Sequence, residues 1–202
     1  MTPIKKPLYK ITATLLNSWN YIYQAKPDYQ KEAYDSFVKY LNRIKEPPNF
    51  FMRRGLKFED DCYNGQVPII SDVIRDGAFQ VYAEKDINVD GYEIRLLGYL
   101  DVLKEGIIYD IKRVNRYDLQ KYLGSYQHPI YFELIPEATS FVYLIGAGSG
   151  QYVNVYTEEY LREESADLKE VIRKFFQFLK DNDLMQTYIE NWKIDEIIII
   201  KE

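Results

Sequence analysis

Three consecutive segments, Phe79 to Val89, Tyr92 to Lys104 and Ile107 to Val114, are rich in aromatic and β-branched residues and are separated only by Asp90-Gly91 and Glu105-Gly106. Both separators are two-residue hairpin loops, the first the stronger signal. A three-stranded antiparallel meander is therefore required, and the rest of the chain has to pack around it.

The flanking sequence reads mainly as helix. After Thr12, a plausible N-cap, Leu15, Leu16, Trp19 and Tyr23 follow the helical period. A second helix is predicted from about Asp28 to Arg43, with Tyr34, Phe37, Val38 and Leu41 on its apolar stripe and Pro47 and Pro48 beyond its end. A third spans Phe51 to Tyr63, carrying Phe51, Phe58 and Cys62, and a short fourth spans Val67 to Arg75. After the meander, Leu119 to Leu134 is helical in texture. Phe141 to Ile145 and Tyr152 to Tyr156 read as strands joined through Gly146, Gly148 and Gly150. Those glycines lack the Gly-Lys-Ser/Thr ending of a phosphate loop, so they read as a hairpin turn. A long amphipathic helix is predicted from Glu158 to Asp181, with Leu168, Ile172, Phe175 and Leu179 inward. A last short helix and Ile197 to Ile200 close the chain. The expected fold is α/β: a mixed central sheet flanked by helices, in a single domain over 1–202. Its N-terminal helices occupy about 12–75 and a helical extension about 158–202.

Composition narrows the chemistry. The chain has 202 residues, a net charge of −5, one cysteine and one histidine. That excludes a disulfide framework, a multi-histidine metal centre and a cysteine-ligated iron–sulfur cluster. Any bound metal must be held mainly by oxygen. Cys62, Trp19 and Trp192 read as core residues, and His128 as structural or exposed. No targeting segment is expected. The longest apolar run, Phe141 to Ile145, is far short of the roughly 18 residues that span a bilayer, so a cytoplasmic setting without a membrane partner is expected. The 20 tyrosines are unexplained by composition.

The meander brings charges together. With Glu105-Gly106 as a two-residue loop, Lys104 faces Ile107, and counting back places Leu103 opposite Ile108, Asp101 opposite Asp110 and Tyr99 opposite Lys112. Opposed residues project to one face, and like charges there weaken a sheet. A divalent cation between the carboxylates removes that objection, and oxygen ligands suit Mg²⁺ or Mn²⁺. The plainer alternative is a solvent-facing sheet with incidental charges.

Gly98-Tyr-Leu-Asp101 followed by Ile108-Tyr-Asp110-Ile-Lys112 resembles the catalytic core of the PD-(D/E)XK nucleases. Gln127-His-Pro-Ile-Tyr131 is similar to the Gln-x-x-x-Tyr motif of the RecB-like and phage-exonuclease branch. Gly55-Leu-Lys-Phe-Glu59 resembles that branch's first motif, and Ile11 to Trp19 its opening helix. The likeness covers roughly residues 10 to 150, in order. It implies a restriction-endonuclease-like fold and a metal-dependent DNA nuclease, with exonuclease action in recombination, repair or phage DNA processing. Asp101 and Asp110 would hold Mg²⁺ or Mn²⁺, with the Ile111 carbonyl a third ligand. Glu59 would complete the shell directly or through water; Asp60 and Asp61 follow it, leaving this motif open by one position. Lys112 would act on the attacking water. Gln127 and Tyr131 would lie on one helical face near the site, with Pro129 at the fourth helical position after a Ser125 cap, where it would distort the helix.

Arg53, Arg54 and Lys57 beside Glu59, and Arg113, Arg116 and Lys121 after the third strand, are candidates for holding nucleic-acid phosphates. Ordinary solvated charges are the alternative at each position. Glu158 to Glu170 carries six acids against Arg162 and Lys169, a helix expected to face away from DNA. The implied partners are DNA and other recombination or repair proteins in a bacterial or phage-infected cell, and an oligomer is compatible with this reading. Two other functions fit less of the sequence. One is a nuclease-fold protein that binds or assembles on DNA without hydrolysis. The other is an unrelated α/β protein with a structural metal, which would not need Gln127 and Tyr131.

Overall fold

A computed structural model describes residues 4–150 and 153–199. Among these the chain runs β1 (Ile4–Ile11), α1 (Ala13–Gln24), α2 (Gln30–Leu41), α3 (Phe50–Tyr63), α4 (Pro68–Ile74), β2 (Ala78–Val89), β3 (Tyr92–Lys104) and β4 (Ile107–Val114). There follow α5 (Leu119–Leu123), α6 (Gln127–Leu134), β5 (Ser140–Ala147), β6 (Asn154–Leu161), α7 (Leu168–Asp181), α8 (Met185–Trp192) and β7 (Lys193–Ile199). The strands form a seven-stranded mixed sheet in the order β6-β5-β4-β3-β1-β7, with β2 on β3, and helices flank it. This is the α/β class expected. Contacts divide the chain into two compact units, and β3 contributes to both.

Among the described residues, the first unit comprises 4–45, 84–98 and 166–199. In it β1 runs parallel to β3 and antiparallel to β7. The sequence reading missed β1, because its lysines and Pro7 obscure the strand pattern. It also missed β7 from Lys193 onward, and Ile200 lies outside the described residues. Thr12 caps α1 as expected, accepting from the Leu15 N–H at 3.2 Å. Leu15, Leu16 and Trp19 are buried and Tyr23 is exposed. Phe37, Phe175, Tyr188 and Trp192 complete an aromatic core, and the Trp192 indole donates to the Leu41 carbonyl at 2.9 Å.

Among the described residues, the second unit comprises 46–83, 99–150 and 153–165. Here β4 pairs antiparallel with β3 and parallel with β5, and β5 pairs antiparallel with β6. Phe58, Cys62, Ile70, Ile74, Val102, Ile111 and Leu144 make its core cluster. Burial pushes the Cys62 thiol up to about 12, consistent with packing. Phe51 lies on the same stripe of α3 as the buried Phe58 and Cys62 but is exposed, in the helix's first turn.

Three helical expectations are corrected here. The Leu119–Leu134 segment is two helices, α5 and α6, interrupted at Gly124 and Ser125. Tyr126 precedes α6, so Pro129 is its third residue, not the fourth, and an N–H there has no intrahelical partner to lose. The helix predicted from Glu158 begins only at Leu168, capped by Asp167, while Glu158 and Glu159 lie in β6. The acids are therefore not gathered on one helix. The second glycine-flanked strand begins at Asn154 and runs to Leu161; its predicted start, Tyr152, lies outside the described residues.

Candidate active site

The β3–β4 hairpin follows the predicted register for Lys104–Ile107, Leu103–Ile108 and Val102–Tyr109. Its pairing covers those residues only, which corrects the expectation of Asp101 and Tyr99 as ladder partners of Asp110 and Lys112. Side chains bridge the opening instead. Asp101 Oδ2 accepts from the Ile111 N–H at 2.8 Å, and the Tyr131 hydroxyl donates to the Tyr99 carbonyl at 2.7 Å. The two strands leave the ladder there while the Ile111 N–H and the Tyr99 carbonyl stay bonded.

Asp110 lies just beyond the paired residues of the hairpin and is 1% exposed. The Gln127 amide donates to its Oδ1, and the Lys112 ammonium pairs with its Oδ2. The Lys112 side chain retains 36% exposure, so one end of the pair meets solvent. Parallel pairing sets Tyr143 beside Asp110 on β5, and Tyr122 packs on Tyr143 at 4.9 Å. Tyr117 stacks on Tyr156 at 4.4 Å and His128 on Tyr160 at 4.4 Å. Part of the tyrosine excess thus builds one wall beside the site. Burial lowers His128 to about 4, which fits a structural role.

Glu59 reaches the same electrostatic neighbourhood from α3. Burial and then the Asp101 charge push its pKa up, while hydrogen bonds from Tyr63 and Gln80 and the Lys112 charge oppose the shift. Asp60 and Asp61 do not take this place: Asp61 is engaged by Lys57 at 2.7 Å. Asp110 is likewise raised, by burial first, with Asp101 and Glu59 adding and Lys112 opposing. Burial depresses the Lys112 pKa less than the Asp110 and Asp101 charges raise it, so the ammonium form is favoured. Asp110 and Glu59, each raised by burial and by the Asp101 charge, stand beside a single ammonium and are short of positive charge.

A carboxyl whose pKa is higher when folded contributes stability that is fully present below the unfolded value, about 4, and is lost as pH rises through the folded value. Asp110→Asn removes this loss. In the presence of chelator the variant should gain melting temperature relative to the wild type as pH is raised from about 4 toward neutrality. A difference that does not change with pH would contradict the burial of an ionisable Asp110.

Other expected residues are placed as follows. Ile111 buries its side chain in the core, and its N–H serves Asp101. Gln127 and Tyr131 share one face of α6, whose C-terminal end is fixed by Arg162 donating to the carbonyls of Phe132, Ile135 and Ala138 at 2.7–2.9 Å. Arg54 donates to Asn115 and to the Gly148 and Gly150 carbonyls, and Arg113 to those of Val114, Gly146 and Gly150. Both guanidinium groups hold the β5–β6 turn. Arg53 bonds the Pro48 carbonyl; Arg116 and Lys121 are exposed. Sequence reasoning missed Tyr63, Gln80, Tyr122 and Tyr143, because none belongs to a short motif.

Carboxylates with carbonyl groups nearby form a donor set suited to a hard divalent cation. Among the described residues, however, no three His, Cys, Asp or Glu side chains are gathered as a ready metal cage. Lys112 and Gln127 occupy both oxygens of Asp110. Among the same residues, no helix is long and apolar enough to cross a membrane.

No family model matches the sequence, and no curated protein matches it. Solved structures do. A putative exonuclease from Eubacterium rectale matches with a TM-score of 0.57 over 93% of this chain and 84% of that one, at 10% identity. An alkaline exonuclease from Laribacter hongkongensis matches with a TM-score of 0.51 over 90% of each chain, at 13% identity. Its complex with dAMP matches equally. At these identities the likeness is one of fold: the mixed sheet and its helices are an architecture shared with solved exonucleases.

Proposed function

We propose that the protein is a Mg²⁺- or Mn²⁺-dependent deoxyribonuclease of PD-(D/E)XK type, acting as an exonuclease on DNA in recombination, repair or phage DNA processing. The observation that carries this reading is the buried Asp110, flanked electrostatically by Asp101 and Glu59 and paired with Lys112, at the splay between β3 and β4. Glu59, Asp101, Asp110 and the Ile111 carbonyl would hold the cation. When bound, the metal would supply Lewis-acid stabilisation of a phosphodiester and activation of water.

The side chains divide the remaining work. Gln127 fixes the Asp110 carboxylate, and Tyr131 fixes the backbone two residues before Asp101. Lys112, paired with Asp110 and partly open to solvent, would orient the attacking water and neutralise the developing negative charge. Tyr99, 58% exposed, lies two residues from Asp101 on β3 and packs against the half-exposed Tyr82 at 5.0 Å. Exposed rings beside a phosphodiester-cleaving centre suit stacking against bases of a strand end. The dAMP complex of the fold neighbour agrees with a nucleotide ligand at such a fold. Of the basic residues, Arg116 and Lys121 are exposed on the segment after β4 and would hold phosphates.

The test is incubation with linear and covalently closed circular DNA, single- and double-stranded, with Mg²⁺, with Mn²⁺ and with chelator. Metal-dependent degradation of linear DNA alone is expected. Cleavage of closed circles would replace the exonuclease assignment with an endonuclease. DNA binding without cleavage in any metal would favour the non-hydrolytic assembly protein.

A further inference from the structure

Gln80 lies inside β2 with a φ of 50°, in the left-handed backbone region. Side chains longer than asparagine rarely occupy that region, because the Cβ crowds the following carbonyl. Such conformations persist where surrounding contacts over-determine them, and they cluster at functional sites. Here the contacts are polar. Gln80 Nε2 donates to Glu59 Oε1 at 2.6 Å and to the Tyr63 hydroxyl oxygen at 2.9 Å. Tyr63 donates to the same Glu59 oxygen at 2.7 Å, and its hydroxyl lies 3.3 Å from the Asp101 carbonyl. The Tyr63 ring is itself held against Phe79, with centroids 4.9 Å apart.

An exposed glutamine amide can be satisfied by water without any backbone penalty. Stability alone therefore gives no reason to hold Gln80 in a disfavoured conformation. Fixing a carboxylate does. Glu59 stands on the surface of α3 with three rotatable side-chain bonds, and a free glutamate there would sample many rotamers. Two donors converging on one oxygen select one of them and leave Oε2 for a cation.

We infer that Gln80 and Tyr63 are positioning residues that lock Glu59 for divalent-cation binding, an inference that rests on the nuclease reading of Glu59. The left-handed turn of Gln80 aims the amide, and the Tyr63 hydroxyl adds a second donor to the same Glu59 oxygen. Groups that orient a metal ligand through hydrogen bonds typically govern affinity or activity by about 10- to 100-fold.

The test uses Gln80→Gly, Gln80→Asn and Tyr63→Phe, with Glu59→Gln and Asp110→Asn as references. Glycine and asparagine both tolerate the left-handed backbone; one lacks the amide and the other carries it one methylene short of Glu59. Melting temperatures in chelator should equal or exceed the wild type for both Gln80 variants. Mn²⁺ affinity by calorimetry should fall about 10- to 100-fold in all three variants, and kcat on linear DNA should fall similarly with KM little changed. Wild-type Mn²⁺ affinity in the Gln80 variants, with the references impaired, would overturn the positioning role alone. A melting temperature that falls in step with activity would make Gln80 merely structural and overturn it too. If Glu59→Gln and Asp110→Asn themselves bind Mn²⁺ and cleave like the wild type, the nuclease reading fails and the inference falls with it.

Discussion

Replacing Lys112 with methionine is expected to leave a folded protein that binds DNA but cleaves it about a thousandfold more slowly. Methionine preserves an unbranched apolar stem and removes the ammonium. Two losses then combine. A positioned charge for the transition state disappears, and one such donor is typically worth about 100- to 1,000-fold. Asp110 also loses the cation that opposes its burial, so its carboxyl shifts further toward the neutral form, a poor metal ligand. Excess metal can recover the second loss and not the first. Initial rates across a Mn²⁺ titration should therefore rise with metal and plateau well below the wild type, while gel-shift binding in Ca²⁺ stays near normal. A plateau at the wild-type rate would remove Lys112 from the chemistry.

Gly146→Ala is expected to cost about 1–3 kcal/mol of stability and to weaken cleavage as well. A Cβ on Gly146 would stand 2.3 Å from Cζ of Phe58, with two further ring carbons within 3.0 Å. Phe58 is buried, its ring lies under the Arg113 guanidinium at 5.6 Å, and it precedes Glu59 on α3. The ring cannot retreat without moving the helix that delivers the acid. Denaturant unfolding and Mn²⁺ affinity should fall together in Gly146→Ala. Pairing the mutation with Phe58→Leu should recover part of both, so the double-mutant cost is less than the sum of the single costs. Additive costs would mean that the two positions do not press on one another.

The meander was legible because its signals are local. Tyr92–Lys104 and Ile107–Val114 are the strands as read, and Asp90, Gly91, Glu105 and Gly106 all take the positive φ that two-residue hairpin turns demand. Asp110, Lys112 and Gln127 could be brought together from strand register and a short motif. Asp101 could be placed near them but not oriented, because splaying of β3 from β4 is a tertiary effect. Strands β1 and β7 were obscured because lysines and Pro7 interrupt one, and helical texture merges into the other. Glu158 and Glu159 read as helix formers, yet pairing with β5 holds them in a strand, so tertiary context overrode propensity. Gln80 had no signal at all; its meaning depends on a backbone angle and on which helix passes above it.

Asp110→Asn tests the central claim most directly. The substitution keeps the side chain's size and one acceptor oxygen for Gln127, and removes the charge that would hold the cation. Release of nucleotides from linear DNA in Mg²⁺ or Mn²⁺ should fall to the level seen with chelator, in a protein whose melting temperature near neutral pH is no lower than that of the wild type. Metal-dependent release by Asp110→Asn at the wild-type rate would contradict the account.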